Sequence, residues 1–288
     1  MNLIGEHIDY LGGVVLPAAI DKHTTATGHP AEDWAVESVV PGGLEYVRSV
    51  GEELGAGPQV VAVSSEVPPA TGVSSSAALL VAVAAGLRPD MDGMEAALAC
   101  QRAEQKATGV QVGVMDHVAS ALGRRGHALL LDCTTLEYQA VPFPDELAIA
   151  VIDSGEHRVL ADTPYNERRR EAEAFDPKRR RHVDSEIARV HAFVYALGRR
   201  DFNELGRLLK QSHESLRDDF EVSTRTVDAI VEKAWGIAGC YGARIMGAGF
   251  GGSILALVDR NQTKTFADAI GRQVLFCATA DGAYVALR

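Results

Sequence analysis

The chain is poor in aromatic residues, at 6%, and in positive charge, with 28 Lys and Arg against 39 Asp and Glu and a formal net charge of −11. A nucleic-acid partner needs a basic face, so that class is not expected. No apolar run reaches the roughly 18 residues of a membrane helix, so no membrane association is expected. No secretory signal precedes the first motif, because Met1-Asn2-Leu3-Ile4 runs straight into polar residues. Cysteine is scarce: Cys100, Cys133, Cys240 and Cys277 are widely spaced and form no CxxC. That spacing argues against a zinc or disulfide framework and for reduced, mostly buried thiols in a cytoplasmic protein. The basic run Lys178-Arg179-Arg180-Arg181, near Arg168-Arg169-Arg170, lies among glutamates and is expected on a solvated helix face. What is present is ordinary globular composition, 47% hydrophobic and 23% charged over 288 residues, enough for one large domain or two smaller ones.

Strand-like aliphatic runs alternate with amphipathic helical stretches. Strands are expected at Gln59–Val63, His127–Asp132 and Leu147–Asp153, and helices over Ala77–Gly86 and Glu95–Thr108, the latter stopped by Gly109. Pro164 to about Leu209 is charged and helical with a break near Asp176-Pro177. A last helix is expected from Ser223 to about Ala238, followed by strand-loop-strand over Arg244–Val258. Pro142-Phe143-Pro144 is the best boundary, dividing the chain into 1–144 and 145–288.

Three stretches carry candidate chemistry. The first, Asn2-Leu3-Ile4-Gly5-Glu6-His7-Ile8-Asp9-Tyr10-Leu11-Gly12-Gly13, packs Glu, His and Asp into a glycine-flanked loop. Such a loop can aim several hydrogen-bonding groups at one small polar ligand, whose buried hydroxyls each cost about 1–3 kcal/mol if unpaired. A polar surface turn fits that spacing equally well. The second, Pro68-Pro69-Ala70-Thr71-Gly72-Val73-Ser74-Ser75-Ser76, delivers serines to the start of a small-residue helix. Free N–H groups at a helix start form a phosphate seat, although a serine-capped core helix reads similarly. No Gly-Lys-Ser/Thr follows, so this is not a Walker A loop. The third, Met246-Gly247-Ala248-Gly249-Phe250-Gly251-Gly252, leads into a strand-like run. A dinucleotide fingerprint requires a helix there, so a glycine turn packed closely against a ligand or backbone is expected instead.

In this order the three stretches resemble the galactokinase branch of the family that also contains homoserine, mevalonate and phosphomevalonate kinases. The first is similar to Asn-Leu-Ile-Gly-Glu-His-Thr-Asp-Tyr-Asn-Gly-Gly, with Ile8 for Thr and Leu11 for Asn. The second resembles Pro-x-Gly-x-Gly-Leu-Ser-Ser-Ser-Ala, with Ala70 at the first glycine and Val73 at the leucine. The third resembles Gly-Gly-Gly-Phe-Gly-Gly, with Ala248 inside the opening triplet. Gly113-Val114-Met115-Asp116-His117 is similar to Gly-Ile-Met-Asp-Gln, with Val114 for Ile and His117 for Gln.

The resemblance implies an α+β, two-domain small-molecule kinase fold, with helices packed on mixed sheets and the active site in the interdomain cleft. It implies ATP and Mg²⁺, galactose as acceptor at its anomeric hydroxyl, and a monomer. Asp116 is then the catalytic residue, and Glu6, His7, Asp9, Gly113 and Tyr165 bind the sugar. Gly72, Ser74, Ser75 and Ser76 cradle the nucleotide phosphates, and Ser75, Ser76 and Glu104 hold the metal. Taken locally, Glu104 fits a solvent-facing helix residue, Asp116 a helix cap and Tyr165 simple packing. The family's arginine, two residues before the Asn, has no counterpart before Asn2, nor does the preceding strand, so an incomplete record is expected. The segments between Lys22 and Tyr46 and between Arg170 and His182 are shorter than galactokinases usually show. A kinase for another sugar and a catalytically weakened sugar and nucleotide sensor are the competing readings.

Overall fold

The computed structural model describes residues 1–37, 42–68, 72–156 and 163–285. Residues 69–71 of the second motif, Ala70 included, lie outside this set. The first motif opens the chain, with Asp9–Leu11 in a single 3₁₀ turn, and leads into β1 (Val14–Val15). Next come β2 (Thr24–Pro30), β3 (Ala35–Glu37), α1 (Gly43–Glu53) and β4 (Gln59–Ser65). Two helices cross the same core, α2 (Ser75–Leu87) and α3 (Gly93–Thr108), followed by the short α4 (Met115–Leu122). Then β5 (His127–Asp132) and β6 (Tyr138–Pro142) form a hairpin. β2 runs antiparallel to β4 and β3 parallel to it, a mixed sheet. A second sheet has the order β1-β5-β6.

α3 begins and ends for legible reasons. The Asp92 carboxylate accepts from Met94 N–H at 2.9 Å, and Gly109 closes the helix in the left-handed region at φ 70°. α2, nearly all small and aliphatic, packs Leu80, Val83 and Ala84 against Val47, Val50, Ala99 and Ala103 in a core of its own.

The chain then changes sheet. β7 (Leu147–Asp153) is buried along almost its whole length. The charged stretch folds as α5 (Tyr165–Glu173), α6 (Pro177–Arg199) and α7 (Phe202–Asp218). The expected break at Asp176-Pro177 is present: Asp176 accepts from Lys178 and Arg179 N–H, and Pro177 fills the first helical position. A second break replaces the expected continuous helix. Arg200 turns left-handed at φ 56°, Asp201 caps Glu204 N–H at 3.1 Å, and α7 runs on to Asp218 instead of stopping near Leu209.

The predicted last helix forms as α8 (Arg225–Trp235), capped by Thr224. It is not the last. Beyond β8 (Cys240–Ile245) and β9 (Ser253–Asp259) come α9 (Thr263–Ile270) and β10 (Val274–Cys277). α9 buries only Phe266 and Ile270, one turn apart, too brief a stripe to stand out in sequence. The sheet order is β10-β7-β9-β8, antiparallel throughout. Its central strands join Leu3, Ile4 and Ile8 of the first motif and Phe193, Leu209 and Phe220 in one large core. All four cysteines are unpaired, and no helix among the described residues is long and apolar enough to cross a membrane.

Candidate active site

The third stretch is a turn between β8 and β9, and its glycines permit close backbone packing. Phe250 N–H donates to the Val222 carbonyl at 2.6 Å and Gly252 N–H to the Glu156 carbonyl at 2.8 Å. A Cβ on Gly251 would collide with that same carbonyl, and φ is 107° there. From this turn Gly247 N–H donates to Glu6 Oε1 at 2.8 Å. On its other side, a Cβ on Gly247 would lie 3.5 Å from the Gly72 carbonyl oxygen. The three stretches, separated by tens to hundreds of residues, therefore touch one another.

Arg244, at the end of β8 and fully buried, locks the first motif in place. Its guanidinium donates to the carbonyls of Leu3 (2.9 Å), Asn2 (2.7 Å) and Ile245 (2.7 Å) and to Glu6 Oε1 (3.0 Å). α6 supplies two more anchors: Glu186 Oε1 accepts from Gly5 N–H at 3.0 Å, and His182 Nε2 donates to the Glu6 carbonyl at 3.0 Å. So fixed, His7 adopts φ 62° and turns its ring among Phe220, Tyr165 and Tyr10, with Nδ1 3.0 Å from the Tyr10 hydroxyl. Tyr165 is buried at the start of α5. An open cavity of about 430 Å³ beside these rings, lined by Gln111, Asn166, Arg169, Arg170 and Glu173, lies outside the loop junction.

Asp9 is 7% exposed, and its carboxyl occupies the space a side chain at Gly113 would need. Burial, the charge of Asp116 and that of Glu6 push the Asp9 carboxyl up to about 7. Burial likewise raises Glu6, partly offset by Arg244. Asp116 sits half-buried in the first turn of α4. It makes no capping bond to α4, and its charge raises Glu6, Asp9 and Tyr165, which places it near all three.

At the second stretch, Ser74 is left-handed at φ 63° and makes no side-chain capping bond. The helices α3, α6, α7 and α8 are all capped by Asp or Thr. α2, like α1, α4, α5 and α9, has no side-chain cap, so its first N–H groups stay open beside the serines. Ser76 is instead close enough to Glu104 to favour its charge, and that residue is 6% exposed and not solvent-facing. Burial opposes charge on Glu104, but His117 and Ser76 overcome it and hold the carboxyl below its usual value.

Models for GHMP kinases match the chain over 44–124 (N-terminal domain) and 193–275 (C-terminal), and the galactokinase galactose-binding signature matches 1–30. A galactokinase of Roseiflexus sp. (strain RS-1) is 36% identical over 353 residues, covering 98% of this chain and 90% of that protein. The chain belongs to the galactokinase family. Because that comparison runs over more residues than the 288 present here, the relative carries segments this family member lacks. The crystal structure of Lactococcus lactis galactokinase complexed with galactose superposes with TM-score 0.88 at 29% identity, covering 98% of this chain and 92% of that one. The crystal structure of L. major mevalonate kinase in complex with R-mevalonate shares the fold at TM-score 0.78 and 18% identity, over 98% and 94% of the two chains.

The donor set suits magnesium. Among the described residues no cluster of three or more His, Cys, Asp or Glu forms a cage. Magnesium characteristically takes one or two protein oxygens plus substrate phosphates, and a buried charged carboxylate beside a serine hydroxyl provides those oxygens. Sequence reasoning assigned no role to Arg244, Glu186, His182 or His117. The partners of the first three lie some 180 to 240 positions away, and no local pattern signals them.

Proposed function

We propose that the protein is an ATP-dependent galactokinase, transferring the γ-phosphate of ATP to the anomeric hydroxyl of galactose. The observation that carries this reading is the meeting of Glu6, Gly72 and Gly247, with Asp116 acting on the Glu6 and Asp9 carboxyls. The departures from the galactokinase signature do not argue against galactose as the acceptor. Ile8 is fully buried in the core and Leu11 packs against it, so neither changes the polar groups offered to a sugar.

In this mechanism Glu6, His7, Asp9, Gly113 and Tyr165 orient the hexose so that its anomeric oxygen faces the γ-phosphorus. The oxygen attacks, its proton passes to Asp116, and the bond from the γ-phosphorus to the β,γ-bridging oxygen breaks, leaving its electron pair on ADP. Gly72, Ser74, Ser75 and Ser76 hold the triphosphate at the α2 N-terminus. Ser75, Ser76 and Glu104 are the residues that hold magnesium, which neutralises phosphate charge when bound. The protein is read as a cytoplasmic monomer.

ADP release with ATP, magnesium and a panel of hexoses tests the reading. Turnover is expected with galactose, and Asp116→Ala lowers it by about 10³-fold or more while nucleotide binding and the fold persist. No turnover with any hexose sinks the proposal. Galactose binding without ADP release points to a sensor, and a higher kcat/KM for another epimer points to a different sugar.

A further inference from the structure

Asp116 and His117 are consecutive on α4 and, about 100° apart around the helix, reach different neighbours. Asp116 acts on the Asp9 and Glu6 carboxyls, while His117 turns inward and is 1% exposed. His117 Nε2 lies 2.8 Å from Glu104 Oε2, and Ser76, in the first turn of α2, favours charge on the same carboxylate. Neither ring nitrogen of His117 makes a regular hydrogen bond among the described residues, so the close approach of Nε2 to Glu104 is the polar contact the ring makes there. A single buried carboxylate is thus pinned between the helix carrying Asp116 and the helix presenting the serines.

We propose that His117 is a positioning residue for the metal site: its Nε2, 2.8 Å from Glu104 Oε2, is placed to donate to that carboxylate and to fix it in the orientation that, together with Ser76, receives the cation. This rests on the reading of Glu104 and Ser76 as metal ligands. The donation requires only an N–H at that point, which imidazole supplies in either protonation state when Nε2 bears the proton. A glutamine amide can supply it as well, and Gln is the residue found here in the resembled motif. An aliphatic residue cannot, and Glu104 would then lose a partner inside a dry pocket. Groups that orient metal ligands typically matter by about 10–100-fold in metal affinity. Through His117, the helix that carries the proposed base also sets the metal carboxylate, so the two halves of the reaction share one rigid element.

The test is Mn²⁺ binding to the full-length protein with a non-hydrolysable ATP analogue, reading free Mn²⁺ by electron paramagnetic resonance. His117→Ala should weaken Mn²⁺ binding by about 10-fold or more, with metal-free binding of the analogue unchanged. His117→Gln should stay within about threefold of the wild type, because the donor is restored. Adding His117→Ala to Glu104→Gln should cost nothing further, since the route to the metal is already cut. Wild-type Mn²⁺ affinity in His117→Ala overturns the proposal, as does a His117→Gln variant as weak as Ala, or additive losses in the double variant. The titration needs neither sugar nor turnover. A wild-type protein that binds Mn²⁺ here but phosphorylates no hexose therefore refutes the galactokinase reading and leaves this inference standing.

Discussion

Glu186 and Asp9 are both buried carboxyl groups within a few residues of the same loop, yet their surroundings treat them in opposite ways. Glu186 accepts from Gly5 N–H and from Ser212 Oγ at 2.7 Å, and pairs with Arg189 at 2.7 Å. Burial works against its charge, but His182, Arg189, Arg244 and Ser212 overcome it and hold the carboxyl below its usual value. Asp9 has only backbone N–H groups, of Tyr10 and its own, in its favour, with no cation or hydroxyl beside them among the described residues. Burial, Asp116 and Glu6 all disfavour its charge and push it up to about 7. The first carboxylate is solved by the fold and serves to build the loop. The second is left under strain of charge where a ligand's hydroxyl would relieve it, and clustered perturbed carboxyls of this kind mark functional sites.

The sharpest way to break the comparison is to remove the satisfied group. Glu186→Ala leaves the Gly5 N–H, Ser212 and Arg189 without their acceptor and should cost about 3–5 kcal/mol in urea unfolding. A loss below about 1 kcal/mol would mean that the network is not what holds the loop. Removing the strained group should do the reverse. An Asp whose folded value is raised keeps its proton in the folded state while the unfolded chain loses it, so its contribution to stability falls from pH 4 to about pH 7 and is gone above. Asp9→Asn should therefore melt with the wild type at pH 4 but higher at pH 8, by at most about 4 kcal/mol in stability. It should at the same time weaken galactose binding by about tenfold or more, and equal melting at both pH values would place Asp9 in an ordinary environment. The smallest change is Gly113→Ala, whose methyl would displace the Asp9 carboxyl. Its expected effect is a KM for galactose raised about tenfold, roughly 1.4 kcal/mol, with a smaller change in kcat.

Much of the fold was legible because its signals are local. Asp176-Pro177 announces a helix start and Gly109 a helix stop by chemistry confined to a few residues, and both occur where expected. The aliphatic runs of β5 and β7 are equally plain. The break at Arg200-Asp201 was not legible, since charged helical composition runs through it unchanged and only the left-handed turn of Arg200 interrupts it. α9 and β10 were missed because each is too short to establish a period. Within the site, pattern alone nominated the motif residues. Local reasoning gave Ser74 to Ser76 two meanings, helix cap or phosphate seat, and the structure shows Ser74 left-handed and making no side-chain cap.

By itself, the order of side chains determined which stretches bend, cap and alternate, and which polar groups the three motifs bring, because those are properties of neighbours along the chain. Tertiary structure alone decided what those groups experience. The same carboxyl is a firm anion at position 186, beside Arg189 and a backbone N–H, and close to neutrality in its titration at position 9, beside Asp116. The reason is that desolvation and Coulomb interaction depend on distance through space, and sequence separation carries no information about that distance.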